Sequence, residues 1–336
     1  MKQKLRHAMA LIVAGMVINL PSVAHAADFC PALQWITLGT AAGPVPTVQR
    51  SEPANLLVAG EQQILVDAGD GTVHQLAKLG LDLGAIQTVF ISHHHMDHTG
   101  GLGAVLGLRW MNNHPGALTV YGPPGTKELV DGLVASMQPQ ARIGFGVGEL
   151  PSPPAERVRA IDIRGGEAVR VGDVTITAVA NSHFQHADPQ SANPPQSLSY
   201  RFDLGGRSVT FTGDTGPSQA VNRLARGSDL LVSEVIDTAK LISSVRTQRP
   251  DLPSQAVEDL RLHFTTHHLT AQEVGAMAKA AGVGHIVLTH LGIPSGPLAQ
   301  SASSLLDDVR TRYDGPVDIA RDLESFDIGC ERTSSK

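Results

Sequence analysis

The chain predicts an α+β fold in which stacked β-sheets are covered by helices. Apolar runs of strand length recur through both halves. Helical segments separate some of these runs, while turn-length gaps separate others. Residue types that bind metals stand directly after several strands, where layered α/β architectures tend to place their sites. At 336 residues the chain can bury a substantial core, as one large domain or as two fused halves. No short-period repeat, coiled-coil heptad or long low-complexity tract interrupts it.

The first 26 residues read as a secretory signal peptide. Lys2, Lys4 and Arg6 precede an apolar run over residues 8–20, and Ala24-His25-Ala26 has the small-x-small form of a cleavage site. The run is short for a bilayer span, so no stable membrane span is expected after processing. Residues 27–336 then form the mature domain, secreted or periplasmic, with 23 basic against 32 acidic residues and a net charge of −9. That sign disfavours broad nonspecific binding to nucleic acid. Cys30 and Cys330 are the two cysteines, and in an exported protein a disulfide between them would pin the termini together. Two unpaired thiols are the alternative. Neither cysteine lies near the histidine motif described below.

The elements follow in order. Trp35-Ile36-Thr37-Leu38 and Gln63-Ile64-Leu65-Val66 are predicted strands, the second ending at Asp67-Ala68-Gly69-Asp70-Gly71. A helix is expected through residues 74–79. Thr88-Val89-Phe90-Ile91 reads as a buried strand, and residues 102–110 as a helix. Leu118-Thr119-Val120-Tyr121 is another strand, closed by the turn Gly122-Pro123-Pro124-Gly125. That turn has neither the glycine spacing nor the lysine of a phosphate-cradling loop. Later strands are expected over residues 174–180, 198–202, 208–212, 230–232 and 285–288, with helices over 218–225 and 271–281. The Pro-rich stretch 188–196 and the stretch 236–253 read as loops or lids. Trp110 and Met111 read as core packing. His74, His114, His263 and His285 lack ligand spacing and read as packing or surface residues. No Gly-x-Ser-x-Gly elbow occurs, which removes the simplest serine-hydrolase reading.

The chemistry concentrates in His93-His94-His95-Met96-Asp97-His98, immediately after the strand ending at Ile91. His93 and His95 alternate and can reach one metal, while Asp97 and His98 can turn towards a second. Four candidate ligands within six positions are hard to explain as packing. His94 breaks the alternation and is expected to face away, held by a hydrogen bond. His183, Asp214 and His290 each follow a predicted strand and can complete a two-metal site. His186 lies three residues beyond His183 and could compete with it.

These motifs resemble the metallo-β-lactamase-fold hydrolases, and among them the ribonuclease Z and arylsulfatase-like branch. Leu38-Gly39-Thr40-Ala41-Ala42-Gly43, the turn at residues 66–72, His93-x-His95-x-Asp97-His98 and Tyr121-Gly122-Pro123 carry the likeness. Phe211-Thr212-Gly213-Asp214-Thr215, His267-His268-Leu269-Thr270 and Leu288-Thr289-His290 extend it to roughly residues 34–292. The resemblance implies a four-layer αββα sandwich with two divalent metal ions, zinc by default, at one edge of the facing sheets. It implies His93, His95 and His183 on one ion, Asp97, His98 and His290 on the other, and Asp214 bridging both. Asp70 matches a position beside the family's site. His268 matches a histidine that contacts phosphate or assists the leaving group, with His267 as its immediate rival.

A two-metal site activates a shared water as hydroxide and neutralises oxygen charge as the bond breaks. Asp97 could in addition accept a hydrogen bond from that water, and His268 could serve the leaving oxygen. This chemistry specifies hydrolysis and leaves the substrate open. Phosphodiester hydrolysis of a small-molecule or nucleotide-like substrate is the leading expectation, with β-lactam hydrolysis the alternative, followed by lactone, aryl sulfate or organophosphate ester hydrolysis. Transfer RNA is not expected: residues 142–154 carry no basic cluster and no long arm, and export would separate the enzyme from tRNA. The resemblance implies a homodimer. Imidazole and carboxylate ligands also suit manganese and iron.

Overall fold

A computed structural model describes residues 33–144, 150–185, 194–294 and 299–329. The signal-peptide expectation, both cysteines and His186 lie outside the described residues. In the first half, β1 (Leu33–Gly39), β2 (Ala54–Ala59), β3 (Gln62–Ala68), β4 (Ile86–Phe90), β5 (Leu118–Gly122) and β6 (Val158–Asp162) follow one another. In the second, β7 (Ala168–Val171), β8 (Val174–Ala180), β9 (Leu198–Leu204), β10 (Arg207–Phe211), β11 (Leu230–Ile236), β12 (His285–Gly292) and β13 (Val317–Ile319) do the same. A last strand, β14 (Glu324–Asp327), returns to the first sheet. The two seven-stranded sheets have the orders β14-β1-β2-β3-β4-β5-β6 and β13-β12-β11-β10-β9-β8-β7. Each begins as an antiparallel meander and continues as parallel strands. The β9–β10 hairpin turns through Gly205-Gly206, both at positive φ, as a two-residue turn demands if the strands are to keep their twist.

Alternation along the strands sorts the side chains into three apolar layers. Between the sheets lie Trp35, Leu57, Ile64, Val66 and Phe90 against Tyr200, Phe202, Phe211 and Val232. Trp35 meets Phe211 with ring centres 5.6 Å apart, and Phe90 meets Tyr200 edge-on at 5.3 Å. Helices α1 (Thr72–Lys78), α2 (Met96–Thr99), α3 (Leu102–Met111), α4 (Thr126–Ser136) and α5 (Gln138–Ile143) belong to the first half. Of these, α1, α3 and α4 bury Leu76, Leu102, Val105, Leu106 and Val130 on the outer side chains Leu56, Leu65, Val89 and Val120. The second half contributes α6 (Gln219–Leu224), α7 (Thr238–Gln248), α8 (Ser254–His267), α9 (Ala271–Ala281) and α10 (Ala299–Arg310). Here α6, α9 and α10 cover Leu231, Val235, Ile286 and Leu288 with Val221, Val274, Met277, Leu305 and Val309. Helix, sheet, sheet, helix: the expected αββα sandwich is the observed one.

One expectation needs correction. Residues 236–253 read as a loop, yet the strand runs to Ile236 and α7 fills most of the rest. The Asp237 carboxylate caps α7 by accepting from the Lys240 amide at 3.1 Å. Only Ile242 of α7 and Val257 of α8 are buried, so neither helix carries the apolar stripe that marks a helix in sequence. The stretch 188–196 lies largely outside the described residues.

Candidate metal centre

The carboxyl ends of β3 and β4 from one sheet, and of β8, β10, β11 and β12 from the other, converge at one edge. Two strand irregularities aim side chains into it. The β2–β3 register shifts at Asp67, which takes φ +59°, and the β11–β12 register shifts at His290, which takes φ +43°. A bulge with a left-handed residue re-aims that residue out of the pleat, at a conformational cost that the surrounding structure must hold.

Asp67 is fully buried and organises the histidine motif. It accepts from the Ser92 amide at 2.7 Å, from Ser92 Oγ at 2.8 Å and from His98 Nδ1 at 2.8 Å. With Nδ1 committed to donating, His98 turns Nε2 inward. That nitrogen lies 3.5 Å from Asp97 Oδ2 and 3.4 Å from Asp214 Oδ1. His183 is oriented the same way, its Nδ1 donating to the His267 carbonyl at 2.9 Å. His94 turns away to Thr126 Oγ1 at 2.9 Å, as its place in the alternation predicts.

Three overlapping groups of ligand atoms result, the atoms of each within 4.8 Å of one another. The first is His93, His95, His183 and Asp214; the second is Asp97, His98 and His290; the third is Asp214, Glu234, His268 and His290. In the first, His95 Nδ1 lies 3.0 Å from His93 Nε2 and 3.2 Å from His183 Nε2, and both Nε2 atoms lie about 4 Å from Asp214 Oδ2. In the second, His290 Nε2 lies 3.5 Å from Asp97 Oδ2 and 3.2 Å from Asp214 Oδ2. Asp214 therefore faces both groups. A tetrahedron with zinc–ligand bonds of ~2.0–2.1 Å has edges of ~3.3 Å, within the spread of these separations. The buried atoms His98 Nε2, His290 Nε2 and Asp214 Oδ1 have no hydrogen-bond partner in the protein. Unpaired buried polar atoms are costly, and cations between them would satisfy all three.

Electrostatics support the same reading. Burial lowers His93 well below the ordinary imidazole value and brings His183 to about 3, so the first group offers neutral nitrogens. Burial opposes charge on His98 too, but Asp214, Asp67 and Asp97 overcome it and raise that imidazole well above its usual value. His290 is raised in the same manner, against burial, by Asp214 and Asp97. The carboxylates of this half of the site demand positive charge, and protonated imidazoles supply it wherever a metal does not. Asp97 is held below the ordinary carboxylate range: burial would raise it, but His98 and His290 prevail.

Asp97 is also fixed from outside. The Gly43 amide donates to its Oδ2 at 3.0 Å, and the approach is so close that a Cβ at residue 43 would overlap the carboxylate. Behind the centre, the buried Glu234 carboxyl shares a 2.6 Å hydrogen bond with His268 Nδ1. Burial, reinforced by Asp214, lifts Glu234 well above the usual carboxylate range. His267 instead pairs its Nδ1 with His263 Nδ1 at 2.9 Å, on the far side of its own carbonyl contact with His183.

Every residue singled out as a ligand thus reaches the centre. Two second-rank contributors escaped the sequence. Asp70, expected beside the site, is exposed, and Asp67, three positions earlier at the end of β3, makes the contacts. Glu234 ends no apolar run visible in sequence, because β11 continues past it to Ile236. Trp110 is buried, with Nε1 donating to the Ser152 carbonyl; Met111 is 39% exposed.

Comparison with known proteins agrees with the geometry. Residues 62–291 match the family described as "Beta-lactamase superfamily domain". A ribonuclease Z of Mycobacterium bovis is 30% identical over 299 residues, covering 87% of this chain and 98% of the relative. The crystal structure of the metallo-beta-lactamase fold protein YhfI from Bacillus subtilis superposes with a TM-score of 0.65 at 20% identity, covering 89% of this chain and all of that one. Human tRNase Z, short form, superposes with a TM-score of 0.58 at 21% identity, over 88% of this chain and all of that one.

Proposed function

Because the chain belongs to the β-lactamase superfamily, matched from residue 62 to residue 291, and is a metal-dependent hydrolase of that fold, we propose that it is an exported two-metal phosphodiesterase. The observation that carries this reading is Asp214, whose two oxygens face both ligand groups. A carboxylate facing both groups would let two cations stabilise the attacking and leaving oxygens of an in-line displacement at phosphorus. When bound, two divalent ions, zinc by preference, supply an activated water and neutralise charge on the phosphoryl oxygens.

The chain's own groups do the rest. His93, His95, His183 and Asp214 would hold one ion; Asp97, His98, His290 and Asp214 would hold the other. Asp97, its Oδ2 steadied by the Gly43 amide, would accept a hydrogen bond from the attacking water and orient it. His268, its pKa lowered by burial and its Nδ1 held by Glu234, would donate a hydrogen bond from Nε2 to the departing ester oxygen. The ribonuclease Z relatives cleave a phosphodiester by name, which favours phosphorus over a lactam carbonyl. Transfer RNA itself is excluded from the proposal, since residues 142–154 offer neither arm nor basic cluster.

The test is a substrate panel on metal-loaded protein: bis-p-nitrophenyl phosphate, a chromogenic cephalosporin, a lactone, an aryl sulfate and a precursor tRNA. Phosphodiester turnover should dominate and should vanish in Asp214→Ala. Dominant cephalosporin turnover would make the protein a lactamase, and efficient tRNA cleavage would restore the maturation role. Export is checked by the N-terminus of protein recovered from a secreting host. It should begin at Ala27, and an intact Met1 would refute processing.

A further inference from the structure

The metal ligands leave unexplained the aromatic ring packed against them. Phe184 directly follows the ligand His183 and is half-buried against three imidazoles. Its ring centre lies 5.6 Å from that of His93, 5.1 Å from His95 and 4.8 Å from His183. Among those three, His95 is the exposed one, so the ring borders the side on which the centre meets solvent. On the Asp97 side, Met96 is 76% exposed, and the loop pinned by Gly43 carries Val45 and Val48, 66% and 97% exposed. Leu262, 58% exposed, stands next to His263, which packs on His183 and His268. Four of the eight large apolar side chains exposed among the described residues therefore lie on segments that touch this centre. An apolar ring set against a polar site, as Phe184 is, marks where a ligand sheds water.

Phe184 carries neither charge nor hydrogen-bonding group, so an arm of the substrate that crosses its ring gains from apolar contact, whereas a phosphate there finds no partner on the ring.

We infer that Phe184 is a specificity-determining residue, and that the site takes small diesters with an uncharged apolar arm, preferably aromatic, stacked on its ring. The inference rests on the phosphodiesterase reading for its turnover arm only. An offset or edge-on aromatic contact together with the apolar burial is worth on the order of 10-fold in affinity.

The experiment has a binding arm and a kinetic arm. Phenylphosphonate and methylphosphonate are titrated calorimetrically into metal-loaded protein, with metal content and Tm recorded for each variant. The phenyl compound should bind ~10-fold tighter, Phe184→Ala should shrink that ratio to about 2-fold or less, and Phe184→Trp should retain it. Metal content should stay unchanged in both variants. The kinetic arm varies the non-leaving ester of p-nitrophenyl phosphate diesters among methyl, phenyl and thymidine-5′. Phenyl should lead in kcat/KM through KM, and the lead should vanish in Phe184→Ala. Equal binding of the two phosphonates, a ratio unmoved by Phe184→Ala, or a preference for the thymidine arm would overturn the inference. Absence of turnover on every arm, with aromatic selectivity intact in binding, would overturn the phosphodiesterase reading and uphold the role of Phe184.

Discussion

Asp67 shows how one side chain outside the ligand set can govern a centre. It holds His98 by Nδ1 and both polar groups of Ser92, while Ser92 Oγ also lies 3.0 Å from His93 Nδ1. Its carboxylate therefore sets the orientation of a ligand in each metal group. Partners of this kind typically contribute 10–100-fold to metal affinity or activity. Asp67→Ala is expected to lose about that much zinc affinity, measured by competition with a chromogenic chelator, while Asp70→Ala stays within about 2-fold of wild type. An equal loss in both variants would contradict the assignment. The seven candidate ligands were legible in sequence because each sits at a strand end or in a dense histidine cluster. Sequence missed Asp67 because the decisive fact is a φ of +59° at a bulge, which no spacing rule reveals. It passed over Glu234 because burial of a carboxylate inside a strand looks like a break in the apolar run.

The loop over residues 40–51 works at the scale of elements, and Asp322 is what holds it. From the link between β13 and β14, Asp322 accepts from the Thr40 amide at 3.0 Å and hydroxyl at 2.8 Å, the Ser51 amide at 2.7 Å and Gln75 Nε2 at 2.8 Å. The Thr40 carbonyl in turn accepts from the Leu291 amide, next to His290, and the loop carries Gly43 to Asp97. The last connection of the chain thus anchors the rim of the centre. Asp322→Ala strands four donors and should cost about 2–4 kcal/mol, seen as a lower Tm, with activity falling alongside. Unchanged Tm would show the loop to be held by something else. Strands and the better helices were legible because alternation and 3.6-residue stripes reach the core. The α7–α8 hairpin was not, because it buries one apolar residue per helix and draws its order from capping and from packing against its neighbour.

At the scale of the molecule, two sheets with the same meander-then-parallel pattern press their inner faces together and pool their strand ends. One sheet supplies His93, His95, Asp97 and His98; the other supplies His183, Asp214 and His290. The candidate centre therefore joins the two sheets, and cations bound there would stabilise the whole sandwich. Free zinc at ~1,000 times its Kd adds about 4 kcal/mol. Removing metal with a chelator should lower Tm by several degrees and zinc should restore it; a Tm indifferent to metal would mean that no cation bridges the sheets. The most direct test of the central claim is the number of metal ions per chain in wild type and in Asp214→Ala, counted by elemental analysis after zinc loading. The account predicts two per chain in the wild type and a loss of at least one in the variant, with phosphodiester hydrolysis falling on the order of 10³-fold. One ion per wild-type chain, or two retained in the variant, would contradict it.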